Sequence, residues 1–152
     1  MLDRVIRLLI CTDLRPSADS ALAQALWLAD RLRAEPHLCH ITKWAALPPT
    51  LGGRRRAHHH LTPRVIESRL RLHVATLGGP PDTALHVYVR SGSAVEGILL
   101  VIAEIKPDLL VVCMHAPVLY KRLMLGSVAR KLVVRSPIPV VLVPAVVKPR
   151  VG

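Results

Sequence analysis

Apolar residues in this chain fall into two rhythms that take turns from end to end: short unbroken runs, and stretches that return every three or four positions. Val5 to Thr12 (VIRLLICT) is the first run, mostly apolar and β-branched, and predicts a strand. Asp13 to Pro16 reads as a turn and Ser17 as a helix cap. Ala21, Leu22, Ala25, Leu26, Ala29 and Leu32 then recur at helical spacing through Arg33. His37 to Thr42 (HLCHIT) is a second strand. From Trp44 to Pro63 no apolar period survives, and Pro48-Pro49, Gly52-Gly53, Arg54-Arg55-Arg56 and His58-His59-His60 mark a loop. Val65, Leu70, Leu72 and Leu77 predict a helix from about Pro63 that stops at Gly78-Gly79-Pro80-Pro81. Leu85 to Arg90 alternates as a third strand, followed by a turn at Gly92. Val95 to Ile105 is helical, Leu109 to Met114 is a fourth strand, Gly126 to Val134 a helix and Val140 to Val143 a fifth strand.

Strand and helix alternating in this way imply an α/β fold, a parallel sheet with helices on both faces. Right-handed crossovers make such a sheet doubly wound, with its ligand crevice at the carboxyl ends of the strands where the strand order reverses. No internal repeat is visible. Residues 1–146 read as a single domain and 147–152 as a C-terminal tail.

Composition narrows the partners. The chain has 152 residues, half of them apolar (51%), enough for one sizeable core. It contains no Phe, and only Trp27, Trp44, Tyr88 and Tyr120 carry aromatic bulk. That poverty argues against a single-stranded nucleic-acid platform, which stacks bases on rings. The formal charge is +11, and every carboxylate side chain lies at or before Asp108. Lys121, Arg122, Arg130, Lys131, Arg135, Lys148 and Arg150 follow it, a field suited to anions, an acidic protein partner or, less simply, nucleic acid. Cys11, Cys39 and Cys113 show no disulfide spacing and sit in apolar runs, as small buried hydrophobes do. The first apolar run is short, broken by Arg7 and closed by Asp13. It predicts neither a signal peptide nor a membrane span, and the expected setting is the cytoplasm.

The element order, with Cys11-Thr12-Asp13 after the first strand and LGSVARKLVVRSPIPVVLVP over residues 125–144, resembles the universal stress protein family across nearly the whole chain. Gly126-Ser127-Val128-Ala129 and Ser136-Pro137-Ile138-Pro139-Val140-Val141 carry the resemblance most specifically. It implies a five-stranded sheet of order 3-2-1-4-5, of the adenine nucleotide alpha hydrolase-like kind. It also implies a homodimer through the last strand, here Val140, Val141, Leu142 and Val143. Some members of the family bind ATP and others do not. The binders place glycine, two residues, glycine, nine residues, then glycine with Ser or Thr. Those positions here are Cys113, Ala116, Gly126 and Ser127, so only the last pair is kept.

Glycines in such a loop permit positive φ and let main chain approach phosphates with no Cβ in the way. Cys113 and Ala116 restore a Cβ, and Pro117 removes an N–H donor. Each lost charge-assisted hydrogen bond weakens binding by about 1.5–3 kcal/mol, so two reduce affinity roughly a hundredfold or more. By resemblance, Asp13 would face the adenine or ribose, Ile41 would offer main chain to the base, and Gly126, Ser127 and Val128 would cap a phosphate at a helix N-terminus. From the residues alone, Asp13 could equally cap its own turn or pair with a nearby Arg, and Gly126-Ser127 could simply start a helix.

The leading expectation is therefore a non-catalytic, homodimeric stress-response regulator with a degraded nucleotide cleft. The alternative is an adenine-nucleotide sensor for ATP or AMP. A further alternative is a thiol or metal sensor built on Cys11, Cys113 and His115 at the crevice. His58-His59-His60 suggests metal, yet adjacent histidines on one element cannot all converge on one ion, and a solvated loop is expected. No GxSxG elbow, P-loop lysine or paired-carboxylate spacing points to an enzyme.

Overall fold

The computed structural model describes residues 4–43, 62–114 and 125–145. Five strands form one parallel sheet: β1 (Arg7–Cys11), β2 (Glu35–Thr42), β3 (His86–Ser91), β4 (Leu109–Cys113) and β5 (Val140–Val143), in the order β3-β2-β1-β4-β5. The helices between them are α1 (Asp19–Arg31), α2 (Pro63–Thr76), α3 (Ala94–Ile105) and α4 (Ser127–Arg135). Strand order reverses between β1 and β4, so the crevice expected of a doubly wound sheet opens beyond Cys11 and Cys113.

Alternation along each strand sorts the core into two layers. Leu8, Ile10, Leu38 and Val111 pack beneath Ala21, Leu22, Ala25 and Ala29 of α1 and Leu70 and Val74 of α2. Leu9, Cys39, Leu110 and Val112 pack on the other face beneath Ile98, Val101 and Ile102 of α3 and Ala129 and Leu132 of α4. Helices cover β1 and β4 on both faces, which explains their unbroken apolar runs. Each fully buried leucine here contributes about 1.5–3 kcal/mol relative to exposure.

Several boundaries differ from the sequence reading. The first strand starts at Arg7 because Val5 and Ile6 are exposed. Ser17 does not cap α1. Pro16–Ala18 is a separate turn of 3-10 helix, and Ala18 occupies the cap position with no side-chain hydrogen bond. β2 begins two residues early, at Glu35, despite Pro36. The Glu35 N–H donates to the Ile6 carbonyl, so the missing N–H of Pro36 would face β3, which starts only opposite His37. α2 ends in a glycine cap, where Gly78 has φ 72° and the Gly78 and Gly79 N–H groups return to the Ala75 and Val74 carbonyls.

Candidate functional site

The carboxyl edge of the sheet begins at Thr12, whose N–H donates to the Cys39 carbonyl at 3.2 Å. Its hydroxyl accepts from the Leu14 N–H at 3.2 Å, and Leu14 takes a left-handed φ of 61°. Asp13 accepts the Arg15 N–H on Oδ1 at 3.0 Å, and its Oδ2 lies 3.3 Å from Arg15 Nε. Both of the simpler roles open to Asp13, turn-former and partner of an arginine, are thus realised together. The His40 Nδ1–H donates to the Thr12 carbonyl at 2.9 Å, which ties β2 to this turn. Nothing in the linear pattern marked that bond.

Ile41 lies in β2 opposite Arg90, with its side chain against α3. The fit is close: a Cβ on Gly97 would stand 2.8 Å from Ile41 Cδ1. Because Cys39 turns its carbonyl toward β1, the main-chain groups of Ile41 face the same side. β1 stops opposite Cys39, so Ile41 has no ladder partner there. On the far side of the crevice Gly126 precedes α4, with φ −61° and no side-chain cap at that helix start. Among the described residues no atom lies within 4 Å of where its Cβ would be, and its φ does not demand glycine. Ser127 and Val128 follow, exposed, in a first turn without carboxylates. A helix N-terminus of this kind presents N–H groups and positive partial charge to an anion.

Cys113 closes β4 and is buried against the α1 and α2 layer. Burial, and then the Asp13 carboxylate, push its thiol from 9.0 up to about 12. Cys11 lies in the other layer, opposite Val112 on β4 and Cys39 on β2. Cys11 and Cys113 therefore lie on opposite faces of the sheet, as the small buried hydrophobes expected of them rather than as a thiol pair. Successive side chains point to opposite faces, and the neighbour that Cys11 has is Cys39, whose contact raises its pKa, followed by burial. All three thiols are reduced and buried. His115, Ala116, Pro117, the Arg54–His60 loop and the 147–152 tail lie outside the described residues.

The sheet order, the turn after β1 and the open start of α4 after the fourth strand coincide with one known family. The universal stress protein family profile matches residues 6–144.

The chain belongs to the universal stress protein family.

Solved structures agree on the fold. A universal stress protein in complex with cAMP superposes with a TM-score of 0.62 at 18% identity, covering 94% of this chain and 100% of its own. UspA from Lactobacillus plantarum gives 0.62 at 18%, covering 93% and 99%. A universal stress protein from Archaeoglobus fulgidus in complex with dAMP gives 0.57 at 19%, covering 91% and 97%. No curated protein sequence matches the chain. Identities this low carry the fold alone.

For a universal stress protein, two further features stand out. β5 pairs only with β4 among the described residues, and Val140, Val141 and Leu142 are half-exposed along it. The basic run after Asp108 is partly answered in three dimensions, since Arg135 forms an ion pair with Glu96 of α3. No helix among the described residues is long and apolar enough to cross a membrane. At the opposite, amino edge of the sheet, Glu35, His37 and His86 meet, a group that sequence reading missed.

Proposed function

We propose that this universal stress protein is a non-catalytic, cytoplasmic stress-response regulator that works as a homodimer and whose nucleotide cleft is degraded. The observation that carries the reading is Cys113. At the position where nucleotide binders of the family keep their first glycine, this chain has a buried side chain at the end of β4. Asp13 adds to it, because a base or ribose would compete with Arg15 for that carboxylate. The thiol-sensor alternative loses support from the raised pKa of Cys113, since the thiolate is the reactive form.

The dimer is supported by the outer edge of β5, which pairs with no strand but β4 among the described residues. The Leu110 N–H donates to the Pro139 carbonyl and the Met114 N–H to that of Val143, so the odd-numbered residues face β4. Val140 and Leu142 then turn their main-chain groups outward, toward a twin strand across a two-fold axis. Val140→Pro removes one outward donor and leaves the β4 ladder intact.

The second reading, an adenine-nucleotide sensor, is favoured by the open start of α4 at Gly126 and by relatives of the same fold whose structures hold cAMP and dAMP. Mass spectrometry of protein purified without nucleotide, with calorimetric titration of ATP and AMP, separates the two. The expected result is no retained nucleotide and no saturable heat. Retained ATP, or micromolar affinity lost in Asp13→Ala, would overturn the degraded cleft. Light scattering tests the dimer separately: a monomeric parent, or a Val140→Pro variant still dimeric, would overturn it.

A further inference from the structure

At the amino edge of the sheet, the side chains at alternate positions of β2 share one face, and register brings a third beside them. Glu35 and His37 are two residues apart in β2, and His86 is the partner of His37 in β3. Glu35 Oε1 lies 3.1 Å from His37 Nε2 and 2.8 Å from His86 Nε2. The two imidazoles are stacked, with centroids 4.6 Å apart and planes 13° from parallel. Tyr88, next on the same face of β3, places its hydroxyl 3.1 Å from His37 Nδ1.

His37 is the anomaly. Its side chain is 5% exposed, yet Nε2 has no hydrogen-bond partner among the described residues. Glu35 is near enough but lies off the N–H direction. A buried polar atom without a partner costs about 1–3 kcal/mol, and native structures rarely tolerate one without a reason. If Nδ1 carries the proton and donates to Tyr88, Nε2 presents a bare lone pair toward a carboxylate, an arrangement that calls for a cation between them. Neutral imidazole is the form that ligates.

We propose that Glu35, His37 and His86 bind a borderline divalent transition-metal cation of the zinc(II) kind, at the end of the sheet opposite the nucleotide crevice. The donor set, two imidazole nitrogens and one carboxylate oxygen, is one that zinc accepts when it keeps a position open to solvent. The three donor atoms lie within 4.8 Å of one another. Bonds of about 2.0–2.2 Å from a central ion require only small adjustments. The nearly parallel rings must splay to converge, and His86, 47% exposed, has room to swing while His37 stays fixed. By accepting the Nδ1–H, Tyr88 would hold the His37 tautomer that leaves Nε2 free for the ion, as hydrogen-bond partners of metal-bound histidines do. Arg71 holds the start of β3 by donating to the Leu85 carbonyl at 2.9 Å. The nearby Arg7 guanidinium is engaged by the Ile105 carbonyl at 3.0 Å.

The test uses the full chain with His58, His59 and His60 all changed to Ser, which removes adventitious binding by that run. Calorimetric titration with zinc chloride should show one saturable equivalent, and cobalt(II) should give visible d–d bands. His86→Ala, at an exposed position, and Glu35→Gln should weaken zinc by about tenfold or more, and Tyr88→Phe by about tenfold. His73→Ala, which touches Asp19 instead, should leave both signals unchanged. His37→Gln is informative only if circular dichroism shows it folded, and His86→Ala keeps the test decisive if it is not. Absence of a saturable equivalent, or one insensitive to His86→Ala, overturns the proposal. Neither outcome bears on nucleotide binding.

Discussion

At the carboxyl ends of β1 and β2 the polar groups satisfy one another. Asp13 accepts from Arg15, Thr12 accepts from Leu14 and His40, and Cys113 is sealed as a neutral thiol. At the amino ends of β2 and β3, two imidazoles converge on one carboxylate, and the buried His37 Nε2 has no hydrogen-bond partner among the described residues. Among the described residues, the edge where the fold conventionally builds a site is therefore the better satisfied of the two, and the edge usually left to structure holds the unmet hydrogen bond. Location within a fold says where sites are common. Unsatisfied chemistry says where one is in a given chain.

Chemical reactivity gives the sharpest break in that comparison. With a pKa near 12, Cys113 should be alkylated by iodoacetamide at pH 8 on the order of a thousandfold more slowly than a free thiol, before any loss from burial. Rapid labelling at neutral pH, located by peptide mass spectrometry, would restore a reactive carboxyl edge. The linked stability has a definite sign. A thiol whose folded pKa is raised stabilises fully below the unfolded value of 9.0, and that stability is lost as pH rises toward 12. Urea midpoints should accordingly fall above about pH 9.

Next in size is the framework common to both edges. Leu8 is fully buried in β1, between β2 and β4, so Leu8→Ala should cost about 3 kcal/mol in chemical denaturation and weaken both ends together. A loss below 1 kcal/mol would mean that the layer collapses around the gap. Smaller again is a gain of function at the carboxyl edge. The double variant Cys113→Gly, Ala116→Gly should raise ATP affinity roughly a hundredfold, read by calorimetry on folded protein. No gain would place the obstacle elsewhere, with the engagement of Asp13 by Arg15 the first suspect.

The crevice residues show how far a linear reading reaches. The positions of Asp13, Gly126 and Ser127 are legible in the sequence, as the end of an apolar run and a small-residue pair before a helical period, while their link to a nucleotide comes only from the family resemblance. Cys11 and Cys113 are legible as small buried hydrophobes, but which face each one fills is not. Both end adjacent strands, yet Cys11 lies opposite Val112, and a one-residue offset puts the two thiols on opposite faces. The amino-edge group went unseen for the same reason. Glu35 and His37 hint at it by alternation, but His86 comes 49 positions after His37 and joins only through the β2–β3 register.

From the amino acids alone came the alternation of strands and helices, the apolar runs that form both layers, and the resemblance that named the family. These depend on spacing along the chain, which local periodicity and side-chain entropy control. Tertiary structure alone decided which residues meet: Arg135 with Glu96, His40 with Thr12, and His37 with His86 beside Glu35. Such meetings depend on strand register and helix packing, which the whole core sets at once and no window of sequence contains.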